Sequence, residues 1–311
     1  MATVFTNGTQ TYNGPVATKW YTAMLLKGTT MSRLAQAGSI HPGVKSKVQM
    51  PSINMGESTV AGDCTFTAAG TWGLATKILE VAPLKVNKVI CERDLDPLIF
   101  SANVQAGSNN ADFIAPEVLD AILMKQADVV NIEVERLMWM GDTSGASGTF
   151  LDLIDGYLVK FLADATVIDV VGVLTNVGNI QSQLQAIYSA IPEAMLSCLG
   201  YESVGIWLSP KNMTLYKQSL VNAFNNPNVV GLQPMYIDCK LFETTGLTQA
   251  DMVFADAKNL WAGVDLLDEE NEIKLIPQKE ISGAPTAHLI MNYKLGVNHA
   301  VGAEIVWWHR P

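Results

Sequence analysis

The segment Pro116–Met140 constrains the fold more than any other stretch of the chain. Pro116 suits a first helical turn, where its missing N–H costs nothing, and Glu117 follows at the positive end of the helix dipole. Leu119, Ile122, Leu123, Val129, Val130, Val134, Leu137 and Met138 recur with a helical period. Gly141 supplies the stop. A helix of about 25 residues runs roughly 37 Å at about 1.5 Å per residue, around twice the usual length. One face of such a rod is apolar, so the rest of the chain must bring sheets or helices to cover it.

The flanking segments read differently. Residues 1–45 are rich in Thr, Asn, Gly and Ser, with one short apolar stretch, Trp20–Leu26, and read as an extended arm. From Val48 to about Arg93 the pattern turns to strands at Thr65–Thr67, Ala75–Val81 and Leu84–Ile90, punctuated by glycines. This predicts a long hairpin with returning strands, and a hairpin of mixed polarity is expected to project. After the long helix come a loop at Gly141–Gly148 and strands at Tyr157–Ala163 and Thr166–Val173. A helix capped by Asn176 is expected to run to Ile191. A buried strand at Val204–Leu208 leads into a helix at Asn212–Phe224, broken by Asn225–Asn228. Strands at Met235–Cys239 and Met252–Ala255, an acidic elbow at Asp265–Glu272, and strands at Glu272–Pro277 and Ala287–Trp308 complete the chain. The last is expected to be one long strand kinked at Gly296 and Gly302. The fold class is therefore α+β.

Composition narrows the use of such a fold. The 311 residues are 49% hydrophobic and only 16% charged, against roughly 25% charged in ordinary soluble proteins. A surface that poor in charge points to burial in subunit contacts, with uncharged polar residues covering the remainder. The net charge of −10 and the presence of only four arginines argue against a protein that grips phosphate backbones. No stretch approaches the roughly 20 apolar residues that span a bilayer. The N-terminal sequence lacks the basic and apolar regions of a secretory signal. A soluble protein made in the cytosol is expected. Cys64, Cys91, Cys198 and Cys239 are scattered, without a CxxC pair, and read as reduced and semi-buried.

A search for chemistry finds no site. His41, His288, His299 and His309 show no metal-ligand spacing, and an odd separation on one strand puts His288 and His299 on opposite faces. The loop Gly141–Gly148 lacks the lysine of a phosphate cradle and follows a helix instead of opening one. Ser144 and Ser147 form no nucleophile elbow. The acidic residues Asp265, Asp268, Glu269, Glu270 and Glu272 lack the alternation of a calcium loop and read as a solvated elbow. Adjacent Trp307 and Trp308 fall on opposite strand faces, one for burial and one for an interface. No catalytic, cofactor-binding or metal-binding residue is expected.

The order of these elements resembles the major capsid proteins of tailed bacteriophages (Caudoviricetes), the Hong Kong 97-type fold. Arg136–Gly145 (RLMWMGDTSG) is similar to that family's spine-helix end and turn, and Val204–Asn212 (VGIWLSPKN) to the buried strand and helix of its axial domain. Asn259–Leu267 (NLWAGVDLL), Asn271-Glu272 and Tyr293–Gly302 (YKLGVNHAVG) resemble the closing segment of capsid proteins from phages of Bacteroidetes-type hosts. The resemblance covers roughly residues 45–308 and rests on order and spacing. It implies an N-arm at 1–35 and an E-loop region at 36–92. It further implies a peripheral domain with the spine helix at 93–145 and 264–299, and an axial domain at 146–263 and 300–311.

The resemblance implies a virion protein, made in the host cytoplasm, that self-assembles as hexamers and pentamers into an icosahedral head. That head encloses double-stranded DNA without tight sequence-specific binding. Its partners would be other copies of itself, a portal, and minor or decoration capsid proteins; no membrane is involved. Two departures shape the expectation. No long N-terminal scaffold segment is present, so a separate scaffold or self-assembly is expected. The final strand offers no Asn and Glu pair matching the family's isopeptide crosslink, so the shell is expected to be uncrosslinked. Two other readings stay open: an encapsulin-type nanocompartment of the same architecture, and an α/β enzyme whose site the sequence does not reveal.

Overall fold

A computed structural model describes residues 10–12, 28–55, 59, 62, 70–91, 116–145, 148–224, 235–265, 273–278, 282–284 and 286–310. The chain opens with strand β1 (Gln10–Tyr12) and helix α1 (Thr29–Ala37). The helix ends on Gly38 at φ 75°, whose N–H returns to the last-turn carbonyls. Strands β2 (Ile40–Pro42), β3 (Lys47–Met55), β4 (Trp72–Glu80) and β5 (Ala82–Cys91) follow, then the long helix α2 (Pro116–Met140). Beyond it lie α3 (Tyr157–Ala163), β6 (Ile168–Val171), α4 (Ile180–Ala190), α5 (Glu193–Leu196), β7 (Val204–Leu208) and α6 (Pro210–Phe224). Strands β8 (Met235–Tyr236), β9 (Cys239–Glu243), β10 (Asp251–Asp256), β11 (Leu260–Val264), β12 (Ile273–Pro277), β13 (Thr286–His299) and β14 (Val306–His309) complete it.

Two mixed sheets organise these elements. The first runs β1-β12-β13-β11-β2, with β5 along the other side of β13. Its inner face (Leu84, Ala262, Val264, Leu289, Met291, Leu295) packs with Leu123, Val130, Val134, Leu137 and Met138 of α2. Leu123, Val130, Val134, Leu137 and Met138 of the apolar period are the buried side of the long helix, while Val129, also counted in that period, is 38% exposed. The second sheet runs β6-β14-β10-β7-β9-β8 and is covered on both faces. Alternation along its strands sends Ile206, Leu208, Met252, Phe254 and Trp308 into a core with α4 and α6, and Trp207, Val253 and Phe242 into the core around α2. A strand with no solvent face carries no polar residue, which is why β7 reads VGIWL and is buried throughout.

Strands β3 and β4 form a separate two-stranded ribbon, in register from Lys47↔Glu80 to Met55↔Trp72. Trp72, Leu74 and Ile78 are 74%, 59% and 50% exposed, while Leu79, at the root, is fully buried. The ribbon therefore stands clear of both cores and is anchored at one end. The anchor is a seat of two glycines. Gly263 and Gly296 are register partners in β11 and β13, and a Cβ on either would strike the Leu79–Val81 corner that joins β4 to β5.

The structure alters several expectations. Tyr157–Ala163 is a helix, not a strand: Tyr157 and Phe161, four apart, share one buried face, a spacing that a short apolar run hides. Ala287–Trp308 is not one strand. It breaks after His299, because Asn259 Oδ1 accepts from the Ala300 and Val301 N–H groups and draws the chain off the first sheet. After a 3-10 turn at Gly302–Glu304, β14 enters the second sheet. Met235–Cys239 is two strands in a tight hairpin, turned by Ile237 at φ 54°. The helix expected from Asn176 begins at Ile180, and Asn176 instead accepts from Gly178 and Asn179 N–H in the turn before it. The arm is not wholly extended, since α1 occupies Thr29–Ala37, and strand β11 was not anticipated. The Trp20–Leu26 and Thr65–Thr67 readings fall outside the described residues.

The glycine seat gives a direct test. Gly296→Ala should destabilise the subunit by about 1–3 kcal/mol through overpacking, read as a lower thermal midpoint. Gly200→Ala, where no atom lies within 4 Å of the added Cβ, should leave the midpoint nearly unchanged.

Candidate functional site

The most organised polar centre of the molecule is built on Glu135, one turn before the end of α2 and only 2% exposed. Its Oε1 accepts from the Thr30 N–H at 2.6 Å and from Thr29 Oγ1 at 3.1 Å. Its Oε2 accepts from Thr245 Oγ1 at 2.7 Å, Thr245 N–H at 3.2 Å and Thr244 Oγ1 at 3.2 Å. Because the Thr244 hydroxyl donates to Glu135, Thr30 Oγ1 is the donor in its 2.8 Å contact with Thr244. Thr30 Oγ1 in turn accepts from the Trp139 indole at 3.0 Å. Helix α1 has Gly28 at its N-cap position and no side-chain cap of its own. Glu135 therefore takes the role of its cap from another helix, with its negative charge at the positive end of the α1 dipole. One carboxylate joins the arm helix, the long helix and the loop after β9.

A second centre lies at the ribbon root. Asp164 Oδ2 is 2.8 Å from both Lys77 Nζ of β4 and His299 Nε2 at the end of β13, and its Oδ1 accepts from Thr166 N–H and Oγ1. Beside it, Asn298 Nδ2 donates to the Ile78 carbonyl at 2.7 Å. Burial alone would raise the Asp164 pKa; the hydrogen bonds from Lys77, Thr166 and His299 outweigh it and hold the carboxyl well below its ordinary range. His299 is buried with the Phe161 ring edge-on at 5.3 Å, and burial draws its pKa below 6.5 against the pull of Asp164. Its Nδ1 has no partner among the described residues. A proton on Nε2 lets the ring donate to Asp164 Oδ2 at 2.8 Å.

The residues weighed for chemistry are otherwise engaged in structure. Among the described residues no group of three or more His, Cys, Asp or Glu converges on a metal position, and no helix is long and apolar enough to cross a membrane. His41 packs edge-on to Trp261, and His288 lies near Gln278. His309 Nδ1 sits 2.8 Å from Asp169 across the β6–β14 pair, as an ion-pair contact whose geometry is not that of a hydrogen bond. His288 and His299 do lie on opposite faces of β13. Cys91, Cys198 and Cys239 are free thiols, and Cys64 lies outside the described residues. In the Gly141–Gly148 loop, donors that a phosphate would need are taken by the chain's own carboxylates. Asp142 accepts from Ser144, Asp155 from Thr143, and Asp152 from the Gly148 N–H.

Asp265 corrects the reading of a solvated elbow: its side chain is 3% exposed and bridges to Lys294 at 2.7 Å. The rest of that acidic run lies outside the described residues, as does the break at Asn225–Asn228. Trp308 is fully buried and Trp307 half-buried, and they face different cores. Sequence reasoning missed both carboxylate centres. A glutamate inside the apolar period of α2 was the available signal for Glu135; partners 135 residues apart left none for Asp164 and His299.

Apolar surface remains open in three places: Trp72, Leu74 and Ile78 on the ribbon, Leu162, Val171, Val173 and Leu174 near the β6 edge, and Met124 and Ile132 on the outer side of α2.

Solved structures similar to the chain come from phage and related particles. A chain of the satellite phage P4 procapsid, a particle that includes the size determination (Sid) protein, is 13% identical over 96% of this chain and 92% of its own, with a TM-score of 0.64. The capsid of an empty GTA particle is 14% identical over 92% of this chain and 91% of its own, at 0.56. A chain of Gordonia phage Cozz is 13% identical over 90% and 86%, also at 0.56. No family model and no curated protein matches the sequence. The mixed helix-and-sheet fold is therefore one shared with chains of viral shells.

The Glu135 centre predicts its own sensitivity. Glu135→Gln leaves a single acceptor oxygen for donors that now have two, and should cost about 1–3 kcal/mol of unfolding free energy. Amide exchange should quicken in α1 before it does in α2. The ribbon root predicts a pH dependence. A histidine with a folded pKa below 6.5 makes the unfolded chain bind the proton first, so stability falls as pH drops below about 6.5. Asp164, also depressed, adds a further loss as pH falls below its ordinary 3.8. Urea unfolding of His299→Gln, which keeps a donor toward Asp164, should lose the upper window and keep the lower one.

Proposed function

We propose that this chain is the major capsid protein of a tailed bacteriophage, a structural subunit that self-assembles into an icosahedral head around double-stranded DNA. The observation that carries the reading is the fold shared with procapsid and capsid chains along more than nine-tenths of both partners. The low charge of the sequence and the open apolar surfaces support it, because a shell subunit buries surface against many neighbours. The relatives named above are phage or GTA particles, so a nanocompartment shell of encapsulin type is not the favoured use of the fold.

In this reading residues 1–35 form the N-arm, 36–92 the E-loop region, 93–145 with 264–299 the peripheral domain, and 146–263 with 300–311 the axial domain. The passage of the chain from the first sheet at His299 to the second at Val306 supports the last of these boundaries. The ribbon β3–β4 lies over a neighbouring subunit, and hexamers and pentamers close through many weak contacts acting together. The protein carries no catalytic, cofactor or metal role, and DNA is enclosed without tight binding, in keeping with a net charge of −10. Its partners are copies of itself, a portal, a separate scaffold, and minor or decoration proteins. Its place is the virion, after synthesis in the host cytoplasm.

Negative-stain micrographs of the purified protein or its source particles should show megadalton shells. Denaturing gels of those particles should give one band near 33.6 kDa. A discrete small oligomer would overturn the shell reading, and a ladder of covalent oligomers would overturn the uncrosslinked state.

A further inference from the structure

A cavity of about 310 Å³ lies where α1 meets the second sheet. Arg33 and Gln36 of α1 form one wall, Tyr201, Glu202 and Ser203 before β7 another, and Ala257 and Lys258 in the β10–β11 turn a third. Its floor is Phe242 of β9, whose ring lies 3.8 Å below the Arg33 guanidinium carbon. Stacking on a ring that is 2% exposed fixes the plane of the guanidinium and leaves its N–H donors around the free edge. Among the described residues no acceptor takes a hydrogen bond from that edge, and no carboxylate pairs with Lys258. Glu202, the acid on the rim, is turned outward: its side chain is 99% exposed and 3.8 Å from Lys240. Burial pulls the Arg33 pKa down, only partly offset by Glu202. In a chain with 30 acidic and 20 basic side chains, Arg33 and Lys258 line one cavity whose single acid, Glu202, acts on Arg33 only through space and points to solvent, which leaves the cavity with more positive than negative charge.

We infer that this cavity is an anion site that receives a side-chain carboxylate of a second copy of this chain. The chemistry follows from the donor set. A guanidinium locked flat offers the two parallel N–H bonds that fit a carboxylate, and Lys258 adds a point charge at the rim. The size agrees: room for about ten waters, at about 30 Å³ each, takes the end of an Asp or Glu side chain and excludes a folded segment. The position agrees as well. Helix α1, which carries Arg33, is held in place by Glu135, so the site is preorganised before anything enters. Its assignment to a second copy rests on the shell reading above; a free small anion is the other source of the same chemistry.

Carbodiimide coupling of assembled particles, made from a mixture of isotopically light and heavy subunits, separates these sources. The expected product, on peptide mapping, is an amide between Lys258 and an Asp or Glu of another subunit. Arg33→Met, which keeps an apolar stem over Phe242, should raise the concentration needed for assembly about tenfold or more while leaving the thermal midpoint of the free subunit unchanged. Should that variant misfold, Arg33→Lys keeps the charge without the fork and should give an intermediate assembly defect. Coupling of Lys258 only within its own chain, together with normal assembly of the Arg33 variants, would overturn the proposal. In a parallel arm, succinate or inorganic phosphate is titrated into free subunits while the Arg33 side-chain nitrogen signal is followed. A shift there without intersubunit coupling keeps the anion site and overturns its assignment to a second copy. If wild-type subunits form no shells, the shell reading fails by itself, and a missing shift in the titration then ends the anion site too.

Discussion

A single buried carboxylate holds the described parts of this molecule in one arrangement. Glu135 sits where three separate stretches of chain meet, and each contributes donors that have no other use. The first-turn N–H of α1 lacks a cap of its own, the Thr244–Thr245 pair follows a strand, and Thr30 Oγ1, which donates to Thr244, takes the Trp139 indole N–H. Burying a charge is costly unless every lone pair is answered. Six hydrogen-bond contacts of 2.6–3.3 Å around its two oxygens answer it. An apolar residue at the same place would pack equally well against several orientations of α1. The carboxylate accepts one, and that geometry also fixes where Arg33, one turn further along α1, meets Phe242.

The long helix and the second sheet depend on the same logic of covered faces. Helix α2 presents Val130, Val134, Leu137 and Met138 inward and leaves Met124 and Ile132 in the open. The central strand β7 of the second sheet has no open face, and alternation along the sheet divides adjacent residues between two cores. Trp307 and Trp308 show this at its clearest, since neighbours in sequence lie on opposite sides of the sheet. The ribbon β3–β4 obeys the opposite rule. It is rooted by a glycine seat and by Asp164, and its outer residues find no cover within the chain.

What could be read from the sequence were the features that repeat along a short stretch. The period of Pro116–Met140, the unbroken apolar run of Val204–Leu208 and the returning strands from Ala75 to Ile90 are local signals, and the structure has each of them. What escaped reading depends on partners far away in the chain. Asn259 breaks β13 from β14 across 41 residues, and Asp164 meets His299 across 135. Tyr157–Ala163 is seven residues long, too short for its period to separate helix from strand. Asp265 looked solvated because its neighbours are acidic, yet Lys294, on the paired strand, takes it into the protein. Glu135 alone left a mark in the sequence, as a charge on the apolar side of a helix.

In the proposed shell reading, these two classes of contact divide the labour of the protein. The centres at Glu135 and Asp164 are polar, directional and satisfied within one chain, so they set the shape of the subunit before it meets a neighbour. The open surfaces on the ribbon, the β6 edge and α2 are apolar and only loosely directional, and under that reading would tolerate the slightly different settings of hexamers and pentamers. The Arg33 cavity stands between them: among the described residues no side chain accepts a hydrogen bond from the Arg33 guanidinium, and Glu202 acts on it only through space. Under the proposed shell function, rigid polar joints inside and adaptable apolar surfaces outside would allow one sequence to fill inequivalent positions in a closed shell, and a directional pocket at the boundary would select among the adaptable contacts.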